Sequence, residues 1–234
     1  MSLERGPRLS GGAGRPALQA LQRFLEPRPA AAPGERCEMC TEPIDAGHSH
    51  VVDLASRNLM CTCRGCYLLF TSEGAAGGKY RAIPDRYRYL PGLAISDGQW
   101  DELQIPVGMA FFFHNSDLGR FVAFYPSPGG ATESLLPLDT WREVLEANPA
   151  VADLAPDVEA LLLRRLGGRQ VQQAGEAGGE DVTECYLVPI DACYDLVGRV
   201  RTGWRGFQGG QEVWREIDDF FAGLRERSEV VGDG

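Results

Sequence analysis

The sequence predicts an α+β protein: a small treble-clef or zinc-ribbon-like metal module, followed by an α+β domain with a mainly antiparallel sheet. Three observations predict it. Two C-x2-C pairs, Cys37/Cys40 and Cys63/Cys66, are separated by 22 residues, which is structural-zinc spacing. Two β-rich runs, "GMAFFFHN" and "GRFVAFYPS", flank a turn-like "NSDLG", the pattern of a hairpin. Near the end, Val213, Trp214, Ile217, Phe220, Phe221 and Leu224 form one apolar stripe, as an amphipathic helix requires.

Residues 1–36 are rich in Gly, Pro, Ala and Arg. They read as a mobile tail carrying one short amphipathic helix, "PALQALQRFLE" (Pro16–Glu26). The metal module spans 37–72 and holds five of the seven cysteines and two of the three histidines. Within it "HSHVVDL" and "RNLMCTC" are β-like, "ASRN" turns between them, and "YLLF" after Cys66 begins a helix. "SEGAAGGK" (Ser72–Lys79) reads as a flexible link.

The α+β domain covers 80–226. After the hairpin, "PSPGGATE" (Pro126–Glu133) reads as a loop and Glu133–Leu138 as a third strand. "DTWREVLEANP" is helical, capped by Asp139 and stopped by Asn148 and Pro149. "PDVEALLLRRLGG" reads as a second helix, with Pro156 in its first turn and Gly167 after its end. Gly167–Glu180 is loop-like, "VTECYLVPI" (Val182–Ile190) is a strand, and Asp191 caps the helix that follows. Residues 227–234 form a C-terminal tail.

The C-x2-C pairs carry the chemistry. Each short turn brings two sulfurs to one point, and a hairpin of about twenty residues returns the second pair to the first. Zn²⁺ takes four tetrahedral thiolates well; iron, singly or as an iron–sulfur cluster, is the alternative for the same donors. A helix starting at the second pair, with Arg64 beside it, favours thiolates at Cys63 and Cys66. Cys61 shares the strand face of Cys63, and His48 and His50 share a face of their own run. All three are candidates for additional ligands or for outer donors to the metal.

Composition narrows the function. The net charge is −10 and the pI about 4.9, which disfavours nucleic acid and anionic membranes as partners. No N-terminal apolar segment resembles a secretory signal, and no apolar run is long enough to span a bilayer. A cytoplasmic protein without membrane insertion is expected, in which an odd number of cysteines serves metal binding or stays free. There is no nucleophile elbow, P-loop or dinucleotide fingerprint, so the reading is non-enzymatic. Arg199, Arg201, Trp204, Arg205 and Phe207 cluster in "RVRTGWRGFQGG" and make a candidate surface for a protein partner.

Two resemblances add to this. The pattern C-x2-C, H-x-H, R-x-L-x-C looks like the treble clef of HNH-type nucleases, in which a hairpin histidine activates water at a metal. The sequence departs from it: no Asp-His pair stands at the hairpin and no Asn follows Cys66. More extensively, "CEMC", "HVVDLASRNLMCTCRGCYLLF", "IPVGMAFFF", "AFYPSPGGATESLLPLDTW", "DVEALLLRR" and "VPIDACYDLVGRVRTGWRGFQGG" resemble an uncharacterised family of high-GC bacterial proteins. Its members are commonly encoded beside uptake nickel–iron hydrogenase genes. The resemblance covers about Cys37 to Phe221. It implies an accessory or assembly role with a hydrogenase subunit or maturation factor as partner, or an iron-centre electron carrier.

Overall fold

The computed structural model describes residues 35–231 apart from 92, 94, 103–104, 135–150, 152, 168–181 and 207–208. The helices expected at Pro16–Glu26 and Asp139–Pro149, most of the Gly167–Glu180 loop, and Phe207 lie outside the described residues. Among the described residues the strands form two sheets and the fold is mixed α+β with mainly antiparallel pairing.

The first sheet has the order β2-β1-β3. Strands β1 (Ser49–Asp53) and β2 (Asn58–Thr62) form the expected hairpin, and β3 (Tyr80–Ala82) joins along the other edge of β1. Asp53 closes the hairpin turn: its Oδ1 accepts from the backbone N–H groups of Ala55 and Ser56 at 3.0 and 3.2 Å. Its Oδ2 lies 3.1 Å from Nζ of Lys79, the chain's single lysine. Burial alone would push this carboxyl's pKa up. The two N–H donors and the Lys79 ammonium outweigh burial and hold it below the ordinary carboxylate value. Helix α1 (Arg64–Thr71) follows β2 directly.

The second sheet has the order β10-β4-β9-β8-β5-β6-β7. Its strands are β4 (Arg88–Tyr89), β5 (Met109–Asn115), β6 (Arg120–Ser127), β7 (Gly130–Ser134), β8 (Glu159–Leu166), β9 (Val182–Pro189) and β10 (Glu229–Val230). All pairs are antiparallel except β10 with β4. A short helix α2 (Asp97–Glu102) precedes β5, and helices α3 (Ile190–Gly203) and α4 (Gln211–Arg227) follow β9.

Both faces of this sheet are buried, and the period of two explains how. Phe111, Leu162, Tyr186 and Val188 point to one face, where Cys193, Leu196, Ile217, Phe221 and Leu224 of α3 and α4 cover them. Ala110, Phe112, Leu161, Leu163 and Leu187 point to the other, beneath Leu90, Leu93, Trp100 and Ile105. The hairpin is fused to the first core through Val52 and Ile83.

Three sequence expectations are corrected. "PDVEALLLRRLGG" contains a strand, not a helix. Leu161, Leu162 and Leu163 are all fully buried on alternate faces between β5 and β9, so the run lacks the polar face that an alternation signal needs. Pro156 and Asp157 make the turn before it, with Asp157 at φ 66°. "PSPGGATE" is a tight hairpin, Ser127 pairing with Gly130, and β7 already includes Glu133 and Ser134 of the expected third strand Glu133–Leu138, whose residues 135–138 lie outside the described residues. Asp191 does not cap α3: Pro189 occupies the N-cap without a side-chain hydrogen bond. Asp191 sits in the first turn, and its carboxylate is turned to the metal module.

No helix among the described residues is long and apolar enough to cross a membrane.

Candidate metal centre

The first sulfur pair is built by a knuckle. Cys37 N–H donates to the Glu42 carbonyl at 2.9 Å and Thr41 N–H to the Cys37 carbonyl at 2.8 Å. Thr41 adopts φ 65°, a left-handed conformation that lets the chain reverse. Glu38 N–H donates to the Cys61 carbonyl at 2.9 Å, which ties the knuckle to β2. The second pair sits where β2 runs into α1. Cys63 is the N-cap, and its Sγ accepts from the Cys66 N–H at 3.4 Å.

These elements bring Cys37, Cys40, Cys63 and Cys66 together, with all four sulfurs within 4.8 Å of one another. Cys40 Sγ and Cys63 Sγ are 3.7 Å apart. Four thiolates at about 2.3 Å from one tetrahedral ion stand about 3.8 Å apart along each edge. The donor set therefore fits one tetrahedral metal ion with little rearrangement. Cys37 and Cys66 are buried and Cys40 is exposed.

At Cys66 the structure departs from the thiolate expected from sequence. Burial raises the Cys37 pKa, but backbone N–H groups of Cys63, Cys40 and Met39 overcome it and bring Cys37 down to about 6. Cys66 moves the other way. Burial raises its pKa far above a free thiol's, and hydrogen bonds shared with Cys40 and Cys63 raise it further, despite the helix N-terminus. At Cys40 the Glu42 backbone N–H favours the thiolate, but thiol hydrogen bonds led by that of Cys37 leave the pKa raised. Four crowded sulfurs cannot all ionise unless a cation shares their charge. Zinc binding to the metal-free protein at pH 7 is therefore expected to release at least the protons of Cys40 and Cys66, and the zinc affinity to fall as pH falls. A weakly buffered zinc titration read with a pH indicator checks this; zinc uptake without proton release contradicts it.

The other sequence candidates are placed as follows. Cys61 is not among the four: its sulfur forms a separate group with ring nitrogens of His48 and His50, all within 4.8 Å. Arg199 pairs with Asp195 at 3.1 Å and lies over the Phe220 ring at 5.5 Å. Trp204 donates from Nε1 to the Gly206 carbonyl at 3.0 Å and meets Trp214 edge-on. Arg205 caps the end of α3 through the Thr202 carbonyl at 2.7 Å, and Arg201 is exposed. Cys185 and Cys193 are fully buried in the two cores. A cavity of about 530 Å³ opens between the hairpin and the large sheet, lined among others by Val52, Leu59, Phe113, Phe124, Glu133 and Tyr194.

A family model for a family of unknown function, DUF5947, matches residues 36–228. The chain belongs to this family. The match begins one residue before Cys37 and ends just past α4, so DUF5947 takes in both the cysteine knuckle and the large sheet apart from β10. No curated protein and no solved structure matches the chain.

The reading from sequence missed Asp191 as a partner of the module. It stands 141 positions from His50, and a capping role was the nearest local explanation for an acidic residue at a helix start. No spacing signal links the two.

Proposed function

We propose that Cys37, Cys40, Cys63 and Cys66 hold a structural zinc ion, and that the protein is a cytoplasmic, non-enzymatic accessory of nickel–iron hydrogenase. The observation that carries the zinc reading is the gathering of four thiols at tetrahedral spacing. The hairpin is small, with strands of five residues each, and most of its stability has to come from outside its own apolar contacts. Structural zinc contributes on the order of 10 kcal/mol to such modules. Iron on the same thiolates, acting in electron transfer, is the competing reading, because thiolate sets also suit iron.

The hydrogenase link rests on the resemblance of the sequence segments and their usual gene neighbours. The partner, a hydrogenase subunit or maturation factor, would dock on Arg201, Arg205 and the neighbouring Trp204 surface, where arginine and tryptophan are available together. Affinity purification of the tagged full-length protein from hydrogenase-expressing cells is expected to recover a hydrogenase subunit or maturation factor. The Arg201→Glu/Arg205→Glu variant is expected to lose it while keeping its zinc. Unchanged hydrogenase activity in cells lacking the gene would contradict the accessory role.

A further inference from the structure

We propose a second metal site on the same hairpin, formed by His48, His50 and Cys61, for a divalent transition metal of the zinc type, with Asp191 orienting His50. It shares no ligand with the four-cysteine centre, and its three donors leave a coordination position open.

The strand register creates the site. His50 on β1 stands directly opposite Cys61 on β2, so their side chains share one face of the hairpin. His48 lies two residues before His50 and reaches the same face. A ring nitrogen of each histidine and the Cys61 sulfur lie within 4.8 Å of one another. The two rings meet edge-on, with centroids 4.6 Å apart.

The hydrogen bonds fix what each ring can offer. His48 Nδ1 is 2.6 Å from the Asp45 carbonyl oxygen. A carbonyl only accepts, so Nδ1 carries the proton and Nε2 of the neutral ring presents a lone pair. The His48 side chain is only 7% exposed, and Nε2 is buried with no hydrogen-bond partner. His50 Nδ1 is 2.8 Å from Asp191 Oδ2, which by the same argument leaves its Nε2 as the free donor atom. Asp191 Oδ1 is likewise buried and unpartnered.

A histidine whose one N–H is held by a carboxylate or carbonyl, with the other nitrogen free, is the usual outer arrangement around a metal. Here both histidines have it, one with each kind of acceptor. A purely structural His50–Asp191 contact, pinning the hairpin to α3, accounts for the Nδ1 of His50 alone. It leaves unexplained why Nε2 of His48 is buried without a hydrogen-bond partner, an arrangement that folded proteins generally avoid. Two imidazoles and one thiolate suit zinc or cobalt, and a three-residue set leaves the fourth position to water or an exogenous ligand.

The test uses the full-length protein with its four-cysteine centre loaded, dialysed anaerobically against Co²⁺ and, separately, Zn²⁺. Metal per chain and the visible cobalt spectrum are the readouts. Wild type is expected to take up one further ion per chain, and Cys61→Ser and His48→Ala to lose that ion but keep the first. Asp191→Asn should weaken the second ion by about 10–100-fold and leave the first unchanged. Cys61→Ser decides the matter if a histidine variant fails to fold, because a serine at this position preserves the hairpin register. Saturation of wild type at the first ion, or an undiminished second ion in Cys61→Ser, overturns the site.

Discussion

Cys63→Ser and Cys66→Ser are each expected to lose the zinc proposed for the four-cysteine cluster and to unfold the hairpin module, while Cys61→Ser is expected to keep that zinc. The three cysteines stand within six positions, so sequence proximity does not separate them. Geometry does. Cys63 and Cys66 share the start of α1 and face Cys37 and Cys40, whereas Cys61 sits across from His50. Loss of a thiolate from a closed four-sulfur site forfeits much of a binding energy on the order of 10 kcal/mol, comparable to the whole stability of a domain of this size. Because Val52 and Ile83 belong to the core under α3 and α4, the loss should propagate. Hydrogen-exchange protection of β1–β3 should collapse first, followed by a fall in the melting temperature of the large sheet. Metal content and exchange in the three variants are the measurements. A Cys63→Ser protein that keeps its metal and its protection contradicts the assignment.

Arg86→Ala is expected to destabilise the fold by about 3–5 kcal/mol, the usual cost of stranding a buried charge. Glu159 begins the central strand β8 with no exposed surface. Its carboxylate is held on one side by Arg86, whose Nε donates to Oε1 at 2.7 Å and whose NH2 donates to Oε2. On the other side the Ala155 N–H donates to Oε2 at 2.8 Å. Arg86 also reaches Asp153 at 2.6 Å, and Arg88 joins at 3.0 Å. Removing the guanidinium leaves Glu159 charged, dry and short of two donors. For a chain of this length the melting temperature should fall by roughly 10 °C. Adding Glu159→Gln to Arg86→Ala should recover part of the loss, because the charge that lacked its partner is gone. Thermal melts of the single and double variants decide it. A single variant within about 1 kcal/mol of wild type would show that the pair contributes only as much as a surface bridge.

The gathering of Cys37, Cys40, Cys63 and Cys66 was largely legible in the sequence because its constraints are local. Two knuckles, a hairpin and a helix start have fixed spacings, and β1, β2 and α1 appear where those spacings put them. The hairpin of β5 and β6 and the stripe of α4 were legible for the same reason, except that Trp214, expected in the stripe, is exposed. What could not be read depends on the third dimension. β8 is three leucines and two arginines in a row that helical propensity favours; its strand state comes from lying between β5 and β9. The thiolate expected at Cys66 could not be judged from sequence because burial and shared hydrogen bonds, set by the assembled site, outweigh the helix terminus there. The partnership of His50 with Asp191 joins a hairpin to a helix with β4 to β9 between them in sequence, and only the folded chain displays it.

The central claim, a zinc ion on Cys37, Cys40, Cys63 and Cys66, is tested most directly by metal analysis with a visible spectrum on anaerobically purified, chelator-washed protein. The expected result is a colourless protein that retains one zinc per chain and loses it in Cys66→Ser. A coloured protein with iron and acid-labile sulfide, or a chain that is folded and metal-free, would contradict it.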